Sequence, residues 1–273
     1  MTLRQAQGTR APAQGSGARV RTLPSWLRFV APVVVGLLGL ALWVLWVDVL
    51  GTAPRMLPSP VAIGQELVKH WDIISEDMLI TGTNALIGLI VGSVVGVTLA
   101  ALAAVARPID GMLAPLVAAI AVVPIVALTP ILNTMYGASS QFGRQAVAAI
   151  AAFVPVFINM LRGLRQSRPV HRDLLRASAA SGPQTFRFLT LPTALPYLMT
   201  GLRVASALAV IAALVAEYFG GPADGVGTAI ATYAKSGRAS LAWAYVAGGI
   251  AIGLIFFLAT ALLERLVVRR PPV

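Results

Sequence analysis

The sequence predicts an all-α integral membrane protein with six membrane-spanning helices. Hydrophobic residues make up 58% of the 273 residues and charged residues only 11%, too little charge to cover a soluble domain of this size. The apolar residues also form runs of about 20, the length that an α-helix needs to cross about 30 Å of hydrocarbon. Uneven placement of arginine along the chain then gives the orientation of these helices.

We place one transmembrane domain at 29–268 and tails at 1–28 and 269–273. The first tail is rich in glycine, alanine and glutamine, carries arginines and no acid, and is expected to be a disordered cytoplasmic segment. A signal peptide is disfavoured because the apolar run that follows is too long. The six spans are predicted at 29–50, 79–106, 110–135, 143–166, 195–219 and 241–267.

Basic residues concentrate on one side of these spans. With the N-terminus inside, most of the 21 lysines and arginines fall in the cytoplasm, while acids such as Asp72 and Asp224 fall outside. Arg144 is assigned to the outer side, and no lysine or arginine is placed deep within a span. Both termini and the long loop at 167–194 are therefore predicted to be cytoplasmic.

The outer loop "LPSPVAIGQELVKHWDII" predicts a helix at the membrane interface. Its Ser-Pro pair is a helix-start signal, and Val61, Leu67, Val68 and Trp71 fall near one face of the helix that follows.

The inner loop contains "LLRASAASGPQTFRFLTLPTALP", a polar and basic stretch between apolar runs. We predict a short helix with Pro169 in its first turn, Gly182 as its C-terminal cap and Pro183 as its stop. This helix is too short and too polar to span, so it must lie on the membrane or dock onto a partner.

The sequence lacks the motifs of an ATPase, a hydrolase or a metalloenzyme. Neither Lys69 nor Lys235, the two lysines, follows a glycine, so the chain has no Walker phosphate loop. Cysteine is absent, and His70 and His171 fall on opposite sides of the predicted membrane. We therefore predict no enzyme activity, no catalytic or metal-binding residue, and no nucleic-acid partner, since the basic excess follows topology.

The inner loop resembles the cytoplasmic "EAA" loop of ABC importer permeases. Arg176, Ala177 and Ser178 stand at the E-A-A position, Gly182 holds the motif glycine, and "LPTALP" (191–196) resembles the tail of one subfamily. That subfamily is the nitrate/sulfonate/taurine type, which also includes pyrimidine-precursor and hydantoin-type importers.

Other segments extend the resemblance over about 57–268. "LPSPVAI" is similar to the outer loop of the subfamily, "GLRVASALAVIAALVAEYFGG" to its fifth span, with Glu217 at a typical glutamate, and "GVGTAI" to the segment before its last span. The chain departs from the family at Arg176 and Ser178, which replace a glutamate and an alanine, and in the polar "TPILNTMYG".

The resemblance implies a type I ABC importer permease fold in the plasma membrane. The partners it implies are separate ABC ATPase subunits that bind ATP and magnesium, an extracytoplasmic substrate-binding protein or lipoprotein, a second copy of the chain, and membrane lipid. This chain would itself hold no cofactor. The residues expected to contact the ATPase are Leu174, Leu175, Arg176, Ala177, Ser178, Gly182 and Arg187.

Four polar residues in or beside spans are candidates for the translocation pathway: Asn84, Asn133, Asn159 and Glu217. Membrane acids and amides are functional candidates, but each amide is also a candidate for hydrogen bonding between helices, and Glu217 for a simple interfacial position.

Glycine and proline patterns give two further expectations. Gly88, Gly92 and Gly96 form a doubled G-x-x-x-G motif, which favours close packing within one subunit over a homodimer contact. Prolines at 115, 124 and 130 indicate either a broken helix that lines the pathway or tolerated kinks in the third span.

The polar inventory of the spans also bears on the cargo. Amides without a deep cation favour a small neutral nitrogen heterocycle such as a hydantoin or pyrimidine precursor, because an amide offers both a donor and an acceptor. The alternative cargo is a sulfonate, taurine or nitrate. Outside this class, the rival functions are a secondary transporter, which would be expected to show inverted repeats or ion-coupling acids, and a non-transporting membrane scaffold.

Overall fold

The computed structural model describes residues 27–49, 57–137 and 139–268, and within them every regular element is helical. The predicted tails lie outside these residues, apart from positions 27 and 28. One segment, Phe186–Thr190, is π-helical. The helices are α1 Leu27–Val49, α2 Pro60–Lys69, α3 Trp71–Val105, α4 Arg107–Val122, α5 Ile125–Tyr136, α6 Phe142–Arg165, α7 Pro169–Ala177, α8 Gly182–Thr185, α9 Leu191–Tyr218, α10 Val226–Lys235 and α11 Ala239–Val267.

Among the described residues, five helical stretches are long and apolar enough to cross a membrane: α1, α3, α6, the continuous rod 182–218 formed by α8, the π segment and α9, and α11. The number is six when α4 and α5 are taken together as one bent span. The prediction of an all-α membrane protein is confirmed. α3 begins at Trp71, well before the predicted start of its span at residue 79.

The third predicted span is not one continuous helix. α4 and α5 meet at a bend of 99°. Val123 and Pro124 both have extended backbone conformations there, as expected for a proline, which has no N–H, and for the residue that precedes it. Pro115 and Pro130 lie inside α4 and α5, so only Pro124 breaks the span.

The core of the bundle is the packing of α3 and α9 against α6. The glycines of the doubled motif lie on this contact: a Cβ built on Gly88 would overlap Ala148, and one on Gly92 would overlap the carbonyl of Ala149. Gly96 lies beside Phe153. The expectation that this motif packs within one subunit is confirmed, because the glycines let the two backbones approach closely.

α2 starts where the sequence predicts. The hydroxyl of Ser59 accepts a hydrogen bond from the N–H of Ala62 (3.2 Å), and Pro60 follows as the first helical residue. The predicted shared face is partly wrong, since Leu67 packs on the core beside buried Ile63 while the other three residues of that face are exposed.

Candidate functional site

The predicted coupling loop contains two short helices where one was expected. α7 ends at Ala177, and the next turn is closed by hydrogen bonds from the N–H of Ala180 to the carbonyl of Leu175 (2.9 Å) and from the N–H of Ala179 to that of Arg176 (2.9 Å). Ala179 takes the left-handed conformation (φ 53°) that this C-terminal motif needs and that usually falls to glycine.

The prediction that Gly182 caps α7 and Pro183 stops it is wrong. Gly182 is the first residue of α8, whose N-terminal cap is Ser181 in a reciprocal capping box with Gln184 (Ser181 N–H to Gln184 Oε1, 2.7 Å). Proline suits a first helical turn because the missing N–H has no partner there anyway. Pro183 therefore marks a helix start in this sequence.

The surface of this segment is exposed and partly apolar. No residue of α7 is buried, and Leu174 and Phe188 have 65% and 67% of their surfaces exposed. Of the predicted coupling residues, Leu175 is partly buried and the others are exposed. Arg176 pairs with Asp173 at 3.4 Å, a solvent-exposed contact that contributes little stability. Exposed apolar side chains beside arginines are typical of a contact surface.

A cavity of about 580 Å³ lies between the α4–α5 break, α6 and α9. Its size is in the range of small-molecule sites. Asn159 is the one polar side chain in the lining, and its amide donates to the carbonyl of Pro155 (2.8 Å). The lining residues are Ile120, Ala121, Ile125, Ile150, Ala151, Val154, Pro155, Ile158, Asn159, Leu208, Ile211, Ala212 and Val215.

Backbone groups add polarity to this apolar cavity. Pro155 has no N–H, so the carbonyl of Ala151 one turn earlier lacks its usual helical donor. With the carbonyl oxygen of the Asn159 side chain, α6 thus presents hydrogen-bond acceptors. α5 begins at Ile125. In its first turn the N–H of Ala127 donates to the carbonyl of Pro124 (2.9 Å), while the amides of Ile125 and Val126 have no intrahelical acceptor. The cavity can therefore match a solute that both donates and accepts hydrogen bonds.

A second polar site lies at the other end of the bundle from α7, where α6 begins and α9 ends. Arg144 is fully buried there. Its guanidinium donates to Asp224 (2.6 Å), to the carbonyl of Pro222 (2.6 Å), to Gln141 (3.0 Å) and to the hydroxyl of Thr228 (3.1 Å). Four acceptors around one cation compensate for its removal from water, which is costly for an unpaired charge.

Glu217 lies beside this cation in the same buried site. Its Oε2 accepts from the hydroxyl of Thr81 (2.8 Å) and from the N–H of Gly227 (2.9 Å), and Thr81 in turn accepts from the N–H of Val226 (2.9 Å). Gly225, at φ +85°, lies so close over the carboxylate that a Cβ would contact it at 2.7 Å. Only glycine combines this backbone conformation with this approach.

Two predicted asparagines lie at this end as well. Asn84 donates to Gln141 (2.9 Å) and accepts from Gln145 (3.1 Å), while Asn133 lies against Gly143 and Gly220. Asp77 accepts from the N–H of Gly225 (2.7 Å). We call the hydrogen-bonded set the α10-end cluster; its members are Asp77, Thr81, Asn84, Gln141, Arg144, Gln145, Glu217, Asp224 and Thr228.

The predicted pathway residues therefore fall in two places. Asn159 lines the cavity, Asn84 and Glu217 belong to the α10-end cluster, and Asn133 lies beside that cluster. Arg144 was not predicted as a functional residue: it was assigned to the outer side of the membrane, at the start of the span 143–166, and the structure buries it in the first turn of α6. A usable signal was present: a single arginine directly at the start of an apolar span requires an acid, and Asp224 lies among the glycines that follow the fifth span.

Comparison with known proteins agrees with this arrangement. Residues 79–271 match the family described as the inner membrane component of binding-protein-dependent transport systems. This chain belongs to that family. As a member it is a multi-pass protein of the plasma membrane, and the resemblance to ABC importer permeases of the nitrate/sulfonate/taurine type is confirmed.

Relatives of this permease carry different transport names. It is 30% identical to the riboflavin transport system permease of Chloroflexus aurantiacus, over 94% of this chain and 97% of that protein. It is also 30% identical to the formylaminopyrimidine transport permease of Halalkalibacterium halodurans, over 69% and 75%. Identity to the putative aliphatic sulfonates permease of Bacillus subtilis is 26%, over 74% and 72%. The family is thus one of permease subunits for small solutes, and its membership implies ATPase and binding-protein partners.

Proposed function

We propose that two copies of this permease form the translocation pathway of an ATP-driven importer and that α7 and α8 dock onto its separate ATPase subunits. ATP and magnesium would be bound by those subunits, and an extracytoplasmic protein would deliver the solute. The observation that carries the coupling role is α7 itself, a helix of nine residues that has no buried residue and exposes Leu174 beside its arginines.

The arginine pattern supports an orientation for this machine. α7 and both termini would face the cytoplasm, and α10 with the α10-end cluster would face the outside, where a binding protein docks. The cavity, lined by α6 and α9, lies between these two surfaces. A change at α7 would then rock the helices around the cavity between inward- and outward-facing arrangements.

For the cargo we propose a small, neutral or weakly acidic nitrogen heterocycle of the hydantoin or pyrimidine-precursor kind. Support comes from the acceptors and donors around the cavity, and from relatives named for formylaminopyrimidine and riboflavin, both nitrogen heterocycles. Arg144 does not bring a cation to the cavity, because it is absent from the lining and is paired with Asp224.

A second cargo class remains in competition. Relatives named for aliphatic sulfonates and taurine favour a sulfonate, and the backbone amides of Ile125 and Val126 at the start of α5 would suit its oxygens. Among the residues that the structure describes, the lining of the cavity contains no cationic side chain to pair with such an anion.

The test is solute uptake by proteoliposomes that hold the permease, its ATPase and its binding protein. The panel contains hydantoin, a formylaminopyrimidine, riboflavin, taurine, an alkanesulfonate and nitrate. We expect ATP-dependent uptake of a heterocycle to exceed that of every anion. Faster uptake of an anion would refute the cargo proposal, and ATP-independent uptake driven by an ion gradient would refute the importer itself.

A further inference from the structure

The α10-end cluster joins three long helices to one short loop, 219–225, and to the start of α10. α6 reaches the loop through Arg144, which donates to the carbonyl of Pro222 and to Asp224. α9 reaches the start of α10 through Glu217 and the N–H of Gly227, and α3 through Thr81 and the N–H of Val226. The connections from α6 and α3 join residues 78 to 145 positions apart, and the one from α9 joins residues ten apart, so the cluster ties the three helices to the loop and to α10.

Two of the helices held in this way are also walls of the cavity. α6 contributes Pro155 and Asn159 to the lining, and α9 contributes Leu208 and Ala212. Arg144 and Asn159 lie about 22 Å apart along the axis of α6, at 1.5 Å per residue. α6 is bonded to loop 219–225 through Arg144, and α9 leads directly into that loop. A displacement of the loop would therefore move both walls of the cavity.

The cluster is not explained by stability alone. A buried ion pair often contributes little net stability, since desolvation offsets its attraction. Here Oε1 of Glu217 and Nε of Arg144 are buried without a hydrogen-bond partner among the described residues, which adds a further cost. What such a network does provide is a single geometry. The loop and α10 also have an exposed surface: Ala223 in the loop and Lys235 at the end of α10 are accessible to a partner.

We propose that Arg144 and Glu217 are positioning residues that make loop 219–225, α10 and the cavity helices one mechanical unit. Docking of the extracytoplasmic binding protein on the loop and α10 is thereby transmitted to α6 and α9, and through the bundle to the ATPase. This inference rests on the proposed importer function and assigns to the α10-end cluster the transmission of the docking signal.

The first test removes one hydroxyl from the cluster. In Thr228→Val, the guanidinium of Arg144 loses an acceptor and the carbonyl of Glu217 loses a donor at nearly constant volume. We measure ATP hydrolysis by the reconstituted complex with and without the binding protein, loaded with the panel solute that stimulates the wild type most. The stimulation should fall about fivefold or more, the scale of a lost coupling between sites.

Two further measurements distinguish transmission of the docking signal from a purely structural role of the cluster. Hydrolysis without the binding protein should stay within about twofold of the wild type, and the concentration of binding protein that gives half of the remaining stimulation should not change, because the docking surface is intact. A structural defect would instead lower hydrolysis with and without the binding protein alike, and would overturn the inference.

A matched control lies on α3, outside loop 219–225 and α10. Thr98 is exposed, and its hydroxyl donates to the carbonyl of Val94 one turn earlier (2.7 Å). Thr98→Val should keep wild-type stimulation. An equal loss in this control would show that the effect is not specific to the cluster and would overturn the role of the cluster.

Should Thr228→Val fail to assemble, Asp224→Asn replaces it, with Asp72→Asn, an exposed acid at the start of α3, as its control. Failure of both cluster variants to assemble would make the cluster a folding element only, against the inference. Normal stimulation in an assembled cluster variant would also overturn it. A wild-type complex that no panel solute stimulates would refute the proposed function, and this inference with it.

Discussion

Gly182 occupies a position where a side chain would meet no other side chain or backbone atom of the residues that the structure describes. A Cβ built there has no neighbour within 4 Å, and the residue is the first of α8, with ordinary helical geometry. Neither backbone conformation nor packing within the permease therefore requires glycine. Under the proposed coupling role, the requirement for glycine would come from the surface of the ATPase.

This reasoning gives a prediction at one residue. Gly182→Leu should leave the amount and thermal stability of the permease unchanged, and should weaken its association with the ATPase about tenfold, the effect of about 1.4 kcal/mol, because the new side chain fills space that the partner needs. Co-purification at a series of ATPase concentrations measures the change.

The control is the same substitution on α2. Gly64 also has open space around its Cβ position, but it lies near the opposite end of the bundle. Gly64→Leu should bind the ATPase normally. Wild-type association of Gly182→Leu would exclude this residue from the contact.

At the scale of elements, the close contact between α3 and α6 depends on the glycines of α3, which have no side chain to separate the two backbones. Gly92→Ala should lower the thermal midpoint of the detergent-solubilised permease, since its methyl group would overlap the backbone of α6, at a cost of about 1–3 kcal/mol for overpacking. Gly82→Ala, on the same helix, meets open space and should be neutral or slightly stabilising, as alanine favours a helix more than glycine does. Equal midpoints for the two variants would contradict this packing.

The elements show where sequence reasoning succeeds and where it fails. The doubled glycine motif and the Ser-Pro start of α2 are local signals, and both predictions hold. The end of α7 was predicted wrongly because Ala179 takes the left-handed conformation, which an alanine side chain disfavours. Gly182, the glycine nearby, does not take that conformation. The break at Pro124 was one of two alternatives, since proline at the middle of a span permits a kink as well as a 99° bend.

At the scale of the molecule, orientation in the membrane is still a prediction, and the absence of native cysteine makes it simple to test. Ser178→Cys should resist a membrane-impermeant maleimide in intact cells and react after permeabilisation, because the arginine-rich side remains inside. Ala223→Cys, exposed in the loop before α10, should react in intact cells. The reversed labelling pattern would invert the topology.

The candidate site was predicted only in part, and the reason lies in distance along the chain. Asn159 lies within the predicted span 143–166, so its position inside the membrane could be predicted from the local sequence. Arg144 and Asp224 are bonded although they lie 80 residues apart in the chain, with α7, α8, the π-helical segment and α9 between them. Periodicity and composition are evaluated over short stretches of sequence, so they cannot detect a contact between such distant residues. An arginine at the start of a span is therefore assigned to the membrane surface.

The π-helical segment between α8 and α9 has a consequence for the rotational setting of the docking surface. A π-helical turn holds an additional residue within an otherwise α-helical rod. Removing one residue between Phe186 and Thr190 would let the rod continue as plain α-helix and turn everything before it by about 100° around the axis, the angle per residue of an α-helix. Under the proposed coupling role, the direction in which α7 faces the ATPase would therefore depend on the number of residues in Phe186–Thr190, independently of the side chains that α7 exposes.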